Sequence, residues 1–416
     1  MVKLYKHQEQ VLQQTKKHNR VAYYLDMGLG KTFVGSEKMN ELGENINVLV
    51  CQKSKINDWA VHFKTFYPDY KIVILNKQPI GPVVGKIIYI INYDLSWRRT
   101  QLLNLKNFTL MLDESSLIKN MKSNRTSFIL KLKAKNVILL SGTPVGGKYE
   151  ELYSQIKLLG WDISKKLFYH QYVITKKFDI GGFPIEKVIG YKNIDRLKEK
   201  LREHGAVFMK TDDVFDLPPI REIIIPVAAT RSYRIFKKNK LVKIKDLEIV
   251  GDTSLTNMLG QRQLAAMYSD VKYEKLQSLM ESTEDRLIIF YNFNEECSKI
   301  KRICEKLNKP VSEVNGKDKN LSNYENCNDS ITLIQYQAGA MGLNLQKANK
   351  IIYFSLPLQS ELFEQSKKRI HRIGQVNKCI YYYLISNETI EEKIHQTLKE
   401  RKDFTDILFK EMEEAE

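Results

Sequence analysis

Short, nearly uninterrupted apolar stretches recur along the chain at 21–25, 46–51, 71–75, 86–92, 108–113 and 136–141, then at 286–291, 331–336, 350–356 and 379–385. Rich in Val, Ile and Tyr and separated by helical patterns, they predict strands of parallel sheets covered on both faces. The fold class is therefore α/β, with two parallel-sheet lobes in tandem and helical insertions between them. From roughly 145 to 275 the pattern predicts mostly helix. Tyr149, Leu152, Tyr153, Ile156 and Leu159 fall on one helical face, as do Ile194, Leu197 and Leu201 behind an Asn193 cap, and both stripes read as core. Leu217-Pro218-Pro219 forbids regular helix or strand, so the crossing between lobes is placed near 213–220, giving lobes 1–212 and 213–416.

A chain of 416 residues suits two such domains. Its 66 Lys and Arg against 49 Asp and Glu leave a formal charge of +17, which favours a polyanionic partner and leaves DNA, RNA and anionic lipid open. The five cysteines are odd in number and form no CxxC pair, which opposes a disulfide framework or a zinc ribbon and fits a reduced compartment. No apolar run approaches the roughly 20 residues of a membrane span, and the first residues lack the apolar core of a signal peptide. The expectation is a soluble, cytoplasmic protein with no membrane partner.

MGLGKT (Met27–Thr32) follows the first predicted strand, where a glycine loop opens a helix and points backbone amides at phosphate. There Lys31 is expected to meet the β and γ phosphates and the Thr32 hydroxyl to hold Mg²⁺. The usual glycine six residues before the lysine is replaced by Leu25. Asp113 and Glu114 end the stretch 108–113, where a carboxylate pair can face a phosphate loop across the carboxyl edge of a parallel sheet. Asp113 would bind Mg²⁺ through water, and Glu114 would orient and deprotonate the attacking water. Adjacent acids at a strand end are ordinarily a solvated turn; their place between Lys31 and SGTP (Ser141–Pro144) gives them the catalytic reading.

In this order the stretches resemble the superfamily 2 helicase-like ATPases, and among them the Swi/Snf-type double-stranded DNA translocases, from Leu4 to Ile394. The resemblance implies RecA-like lobes. YKHQ, with Gln8, resembles an adenine-reading motif. DMGLGKT resembles the group's own phosphate loop, which also lacks the first glycine, so Met27, Gly28, Leu29, Gly30, Lys31 and Thr32 are implied to bind nucleotide. Val48–Phe63, with Trp59, and Asn92–Asp94 resemble motifs that touch the DNA backbone, which implicates Lys53, Ser54 and Tyr93. SGTP is similar to the motif to which the ATP site is coupled, implying coupling roles for Ser141, Gly142 and Thr143. Ser116 stands where the group carries a coupling His. In the second lobe, LIIFYNF, AGAMGLNL with Gly342, and QSKKRIHRIGQ resemble the remaining motifs. Gln365, Arg369 and Arg372 match the Gln and arginines of the last, whose arginines are implied to reach the γ phosphate. Ala340 replaces a preferred glycine and Gln335–Gln337 a hydroxyl-rich lead-in, so no second-lobe DNA contact is carried over.

The resemblance implies an ATP- and Mg²⁺-dependent translocase on duplex DNA, a monomer with little base preference. It resembles a minimal bacterial or phage form that can work beside replication, recombination or nuclease proteins. One alternative is a strand-separating DNA or RNA helicase of the same superfamily, opposed by IHRIGQ and GLNL; no pin hairpin is evident. Another is a non-hydrolysing DNA-binding regulator, opposed by the intact Lys31, Asp113, Glu114 and Arg372.

Overall fold

A computed structural model of the protein describes residues 3–75, 80–81, 84–145, 148–180, 183–244, 247–339 and 343–410. The chain divides into two units, Met1–Val214 together with Asp403–Glu416, and Phe215–Lys402. The first contains β1 (Arg20–Leu25), β2 (Ile46–Cys51), β3 (Lys71–Ile74), β4 (Ile87–Asn92), β5 (Phe108–Asp113), β6 (Asn136–Leu140), the hairpin β7 (Val173–Ile180) and β8 (Phe183–Tyr191), and β9 (Ala206–Met209). Seven of these strands make one sheet in the order β3-β4-β2-β5-β6-β1-β9, and every pairing in it is parallel. The central strands are buried along nearly their whole length because helices cover both faces, so apolar residues are required on both sides of the pleat.

The second unit contains β10 (Ile220–Val227), the small hairpin β11 (Leu241–Ile244) and β12 (Leu247–Val250), then β13 (Leu287–Tyr291), β14 (Val311–Val314), β15 (Lys319–Asn320), β16 (Ile331–Gln335), β17 (Lys350–Tyr353) and β18 (Cys379–Ser386). Its sheet runs β10-β18-β17-β13-β16-β14-β15 and is parallel except at β14–β15. One core cluster around Phe290, Tyr353 and Tyr383 and another around Ile289, Leu333 and Phe354 lie among its strands and helices. The ten strands expected from apolar stretches are all present, to within a few residues at their ends.

The span expected to be mostly helical holds β7 to β12 as well as helices. β10 escapes the apolar-run criterion because it follows Pro218-Pro219 and contains Pro226. A proline is tolerated there because β10 is an edge strand, paired on one side to β18. Asn193 does stand at the start of the helix Ile194–Glu203, but in left-handed conformation and without a side-chain cap. Its amide instead donates to the Gln171 carbonyl at 2.8 Å, which ties the helix start to the preceding helix.

A buried ion pair anchors the start of the last helix, Ile390–Lys410, in the second unit. Both Glu391 carboxylate oxygens accept from Lys272 Nζ, at 2.6 and 2.7 Å, and Oε2 also accepts from the Ser386 amide at 2.9 Å. Removing one partner leaves a buried charge without its counter-charge. Glu391→Gln is expected to destabilise the second unit by about 3–5 kcal/mol in denaturant titrations, and the paired change Lys272→Met with Glu391→Leu to recover much of that loss.

Candidate active site

Strand order assembles the site. In the series β4-β2-β5-β6-β1, the residues at or just after each carboxyl end are Tyr93, Lys53 and Ser54, Asp113 and Glu114, Ser141 to Thr143, and Met27 to Thr32. Side-by-side parallel strands end at the same edge, so five separate sequence stretches become neighbours.

The chain leaves β1 at Leu25 and turns through Gly28 (φ +93°) and Gly30 (φ +75°) into the helix Lys31–Leu42. Gly30 answers a close approach as well as a left-handed turn, since a Cβ there would lie 2.1 Å from Gln8 Nε2. Gln8 is buried; its Nε2 donates to the Leu29 carbonyl at 3.2 Å, and its Oε1 accepts from the Tyr5 amide at 2.9 Å. Lys31 Nζ donates to the carbonyls of Leu25 and Asp26, at 2.9 and 3.2 Å. A Cβ on Gly142 would stand 3.3 Å from that ammonium, so the SGTP turn lies directly against Lys31. Thr32 opens the helix beside it, half-buried. Thr211, just beyond β9, braces the loop: its hydroxyl donates to Asp26 Oδ2 at 3.0 Å or to the Met27 carbonyl at 3.1 Å. Sequence reading missed this brace, because 185 residues separate its partners.

Asp113 ends β5 with its carboxylate accepting from Trp59 Nε1 at 2.7 Å. The residue as a whole is half-buried, but neighbours desolvate its carboxyl and push its pKa up; the indole donor and the Lys31 and Lys55 charges pull the other way. Glu114 follows in left-handed conformation (φ +55°), a backbone state that a non-glycine residue adopts at a cost of about 1–3 kcal/mol and that clusters at functional sites. Hydroxyl and carboxylate oxygens are the hard donors that Mg²⁺ takes, typically one or two carboxylates with substrate phosphates, so Thr32 and Asp113 fit that ion. Among the described residues no group of three or more His, Cys, Asp or Glu could hold a metal alone.

Tyr93, expected as a DNA contact, turns its hydroxyl inward here. Its ring is 2 % exposed, and its hydroxyl donates to the Asp113 carbonyl at 2.8 Å, with the Glu114 carbonyl at 3.4 Å. It supports the acidic pair from below, and burial beside those acids raises its own pKa well above the ordinary value. Lys53 and Ser54, in a short turn after β2, are exposed. Ser116 is buried, and its carbonyl accepts from the Lys119 amide. Ser141 Oγ accepts from the Thr143 amide at 3.1 Å and closes the SGTP turn; Gly142 and Thr143 are half-buried.

In the second unit Gln365 is half-buried on the helix Ser360–Lys367. Arg369 is 1 % exposed, so this conformation does not offer it to a phosphate as expected, whereas Arg372 is half-buried and donates to the Leu343 carbonyl at 3.3 Å. Gln375 is structural: its amide lies 2.8 to 3.3 Å from the carbonyls of Ala348, Gln346 and Ile370. His371 Nε2 lies 3.0 Å from the Pro218 carbonyl. Gly342 and Ala340 lie outside the described residues. A second basic surface went unread in the sequence. On the helix Arg231–Asn239, Tyr233 and Phe236 face inward while Arg231, Arg234, Lys237 and Lys238 are exposed, in a stretch free of acids from 228 to 245.

A family model described as the SNF2-related domain matches residues 7–273. The chain belongs to the SNF2-related family. A helicase conserved C-terminal domain model matches residues 271–374 of this SNF2-related chain. Among curated relatives, YwqA of Bacillus subtilis (strain 168), described provisionally as an ATP-dependent helicase/translocase, is 27 % identical over 92 % of this chain and 45 % of its own length. A SWI/SNF-related matrix-associated actin-dependent regulator of chromatin, subfamily A-like protein 1, from Xenopus laevis is 24 % identical over 90 % of this chain and 41 % of its own. The chain thus spans less than half the length of these relatives. A solved Sulfolobus solfataricus SWI2/SNF2 ATPase core in complex with dsDNA is similar over 98 % of this chain and 93 % of its own, with 23 % identity and a TM-score of 0.46.

The Trp59 contact to the acidic pair is directly testable. The indole N–H stabilises the ionised Asp113 more than the neutral acid, so Trp59→Phe is expected to raise the Asp113 pKa further and move the acid limb of any activity needing the carboxylate to higher pH. Carboxyl ¹³C titration of the two proteins checks this; an unchanged or lower midpoint in Trp59→Phe would remove Trp59 from the role.

Proposed function

We propose that this SNF2-related chain is a DNA-stimulated ATPase that translocates along duplex DNA. The observation that carries the reading is the meeting of Lys31, the Asp113–Glu114 pair and the SGTP turn at one sheet edge. Lys31 exchanges its two carbonyl acceptors for β and γ phosphate oxygens, a charge-assisted and stronger pairing. Glu114 holds the attacking water and takes its proton. Thr32 and Asp113 would hold Mg²⁺, which when bound neutralises phosphate charge. Arg372 supplies further positive charge to the transferred phosphoryl group. Gln8, fastened to the phosphate loop through Leu29, would read the base.

Three variants test the chemistry. Lys31→Ala is expected to lose nucleotide binding, and Glu114→Gln to bind ATP without hydrolysing it. Arg372→Ala should lower turnover by about 10³-fold with the fold intact. Wild-type turnover in clean Glu114→Gln protein would reject the assignment.

The partner is argued from charge. The +17 excess, the exposed Lys53 and the exposed Arg231, Arg234, Lys237 and Lys238, in a sequence stretch free of acids, favour a phosphate backbone read without base preference. Changing Arg234, Lys237 and Lys238 together to Gln should flatten the dependence of duplex binding on salt, by about 0.9 in log–log slope for each phosphate that is no longer neutralised. An ATP-driven duplex translocase should also displace a third strand from a triplex while leaving a plain fork paired. Efficient fork unwinding with the triplex ignored would favour the strand-separating helicase instead.

A further inference from the structure

Gln155 lies in the short helix Tyr153–Leu158, fully buried, and joins two strand-end loops and strand β1 through one carboxamide. Its Oε1 accepts from Ser115 Oγ at 2.8 Å and from the Tyr24 hydroxyl at 3.0 Å, while its Nε2 donates to the Pro144 carbonyl at 2.8 Å. Ser115 directly follows Glu114, Pro144 follows Thr143, and Tyr24 precedes Leu25, whose carbonyl holds Lys31. The amide has one orientation only. The Pro144 carbonyl can accept but not donate, so a flipped amide would set oxygen against oxygen. Tyr24 and Ser115 are as fully buried as Gln155, and an unmade bond at any of these groups would carry its full desolvation penalty. A shift of the acidic loop on nucleotide binding is therefore passed to the SGTP turn through Gln155 or breaks the bridge. Ser116, whose side chain is short and carries no ring nitrogen, makes no comparable span.

We propose that Gln155 is the positioning residue that couples the nucleotide loops to the SGTP turn. The inference rests on the nucleotide reading above. It is tested by hydrogen exchange of the whole chain with and without a non-hydrolysable ATP analogue, in wild type and in Gln155→Met, which keeps the side chain's length but neither polar end. In wild type the analogue should protect both 27–32 and 141–145. In Gln155→Met protection should persist at 27–32 and be lost at 141–145, and the ratio of duplex-stimulated to basal ATPase should fall by about fivefold or more, the lower end of ordinary allosteric coupling. If Gln155→Met does not fold, Ser115→Ala, which deletes one buried oxygen, should give the same two changes. Wild-type protection at 141–145 in a folded variant would overturn the inference, as would a parallel fall of both rates at constant ratio. Absence of protection at 27–32 in wild type would instead overturn the nucleotide reading, and this inference with it.

Discussion

A parallel sheet buried on both faces leaves its chemistry to the strand ends, and this constraint organises the first unit. β1, β5 and β6 have their sides committed to helix packing and their backbone groups to the ladder, so polar side chains can collect only where the strands stop. Because β5, β6 and β1 are neighbours, the three stops lie beside one another. Lys31 and Asp113 are 82 residues apart in sequence, yet the ammonium lowers the carboxyl's pKa against the opposing pull of burial.

Loops gathered in this way contain groups that must be satisfied away from water, and the surrounding residues do that work. Trp59 supports the Asp113 carboxylate, Tyr93 the adjoining carbonyls, Thr211 the Asp26 side chain, and Gln8 the Leu29 carbonyl. Each bond is ordinary in strength, of the order of 1 kcal/mol net, but leaving its buried partner unmade would cost about 1–3 kcal/mol. Together they over-determine the loops, which is the condition under which the left-handed Glu114 backbone persists.

Most interior strands of both sheets were legible because burial on both faces writes an unbroken apolar run; β14 was not, since only alternate residues of its Val-Ser-Glu-Val sequence are buried. β10 was not: an edge strand needs apolar residues on fewer sides and can carry Pro226. β7 and β8 pair only with each other, and their sequences mix Lys176, Lys177 and Lys187 with Phe178 and Ile189, so no face is uniformly apolar. At the site, short stretches such as MGLGKT and LDESS were readable because their residues act within a few positions of one another. The bond from Tyr93 to the Asp113 carbonyl was not legible, since a tyrosine's motif position does not reveal which way its hydroxyl points. Gln155 and Thr211 gave no signal at all, because their partners lie 11 to 185 residues away and only the folded sheet edge brings them together.

The position of Lys31 also bears on how a nucleotide could drive a conformational cycle. A ligand shifts an equilibrium only by the difference in its affinity for two states. Here the ammonium already makes hydrogen bonds to Leu25 and Asp26, so phosphate binding as proposed would replace neutral acceptors with charged ones instead of ordering a free side chain. The loop is largely formed beforehand, held by Thr211 on one side and Gln8 on the other. Little binding energy is then spent on ordering the loop itself. What remains is available to move the groups joined to it, and among the described residues the buried carboxamide of Gln155 is the connection that touches the phosphate-loop strand, the acidic loop and the SGTP turn at once.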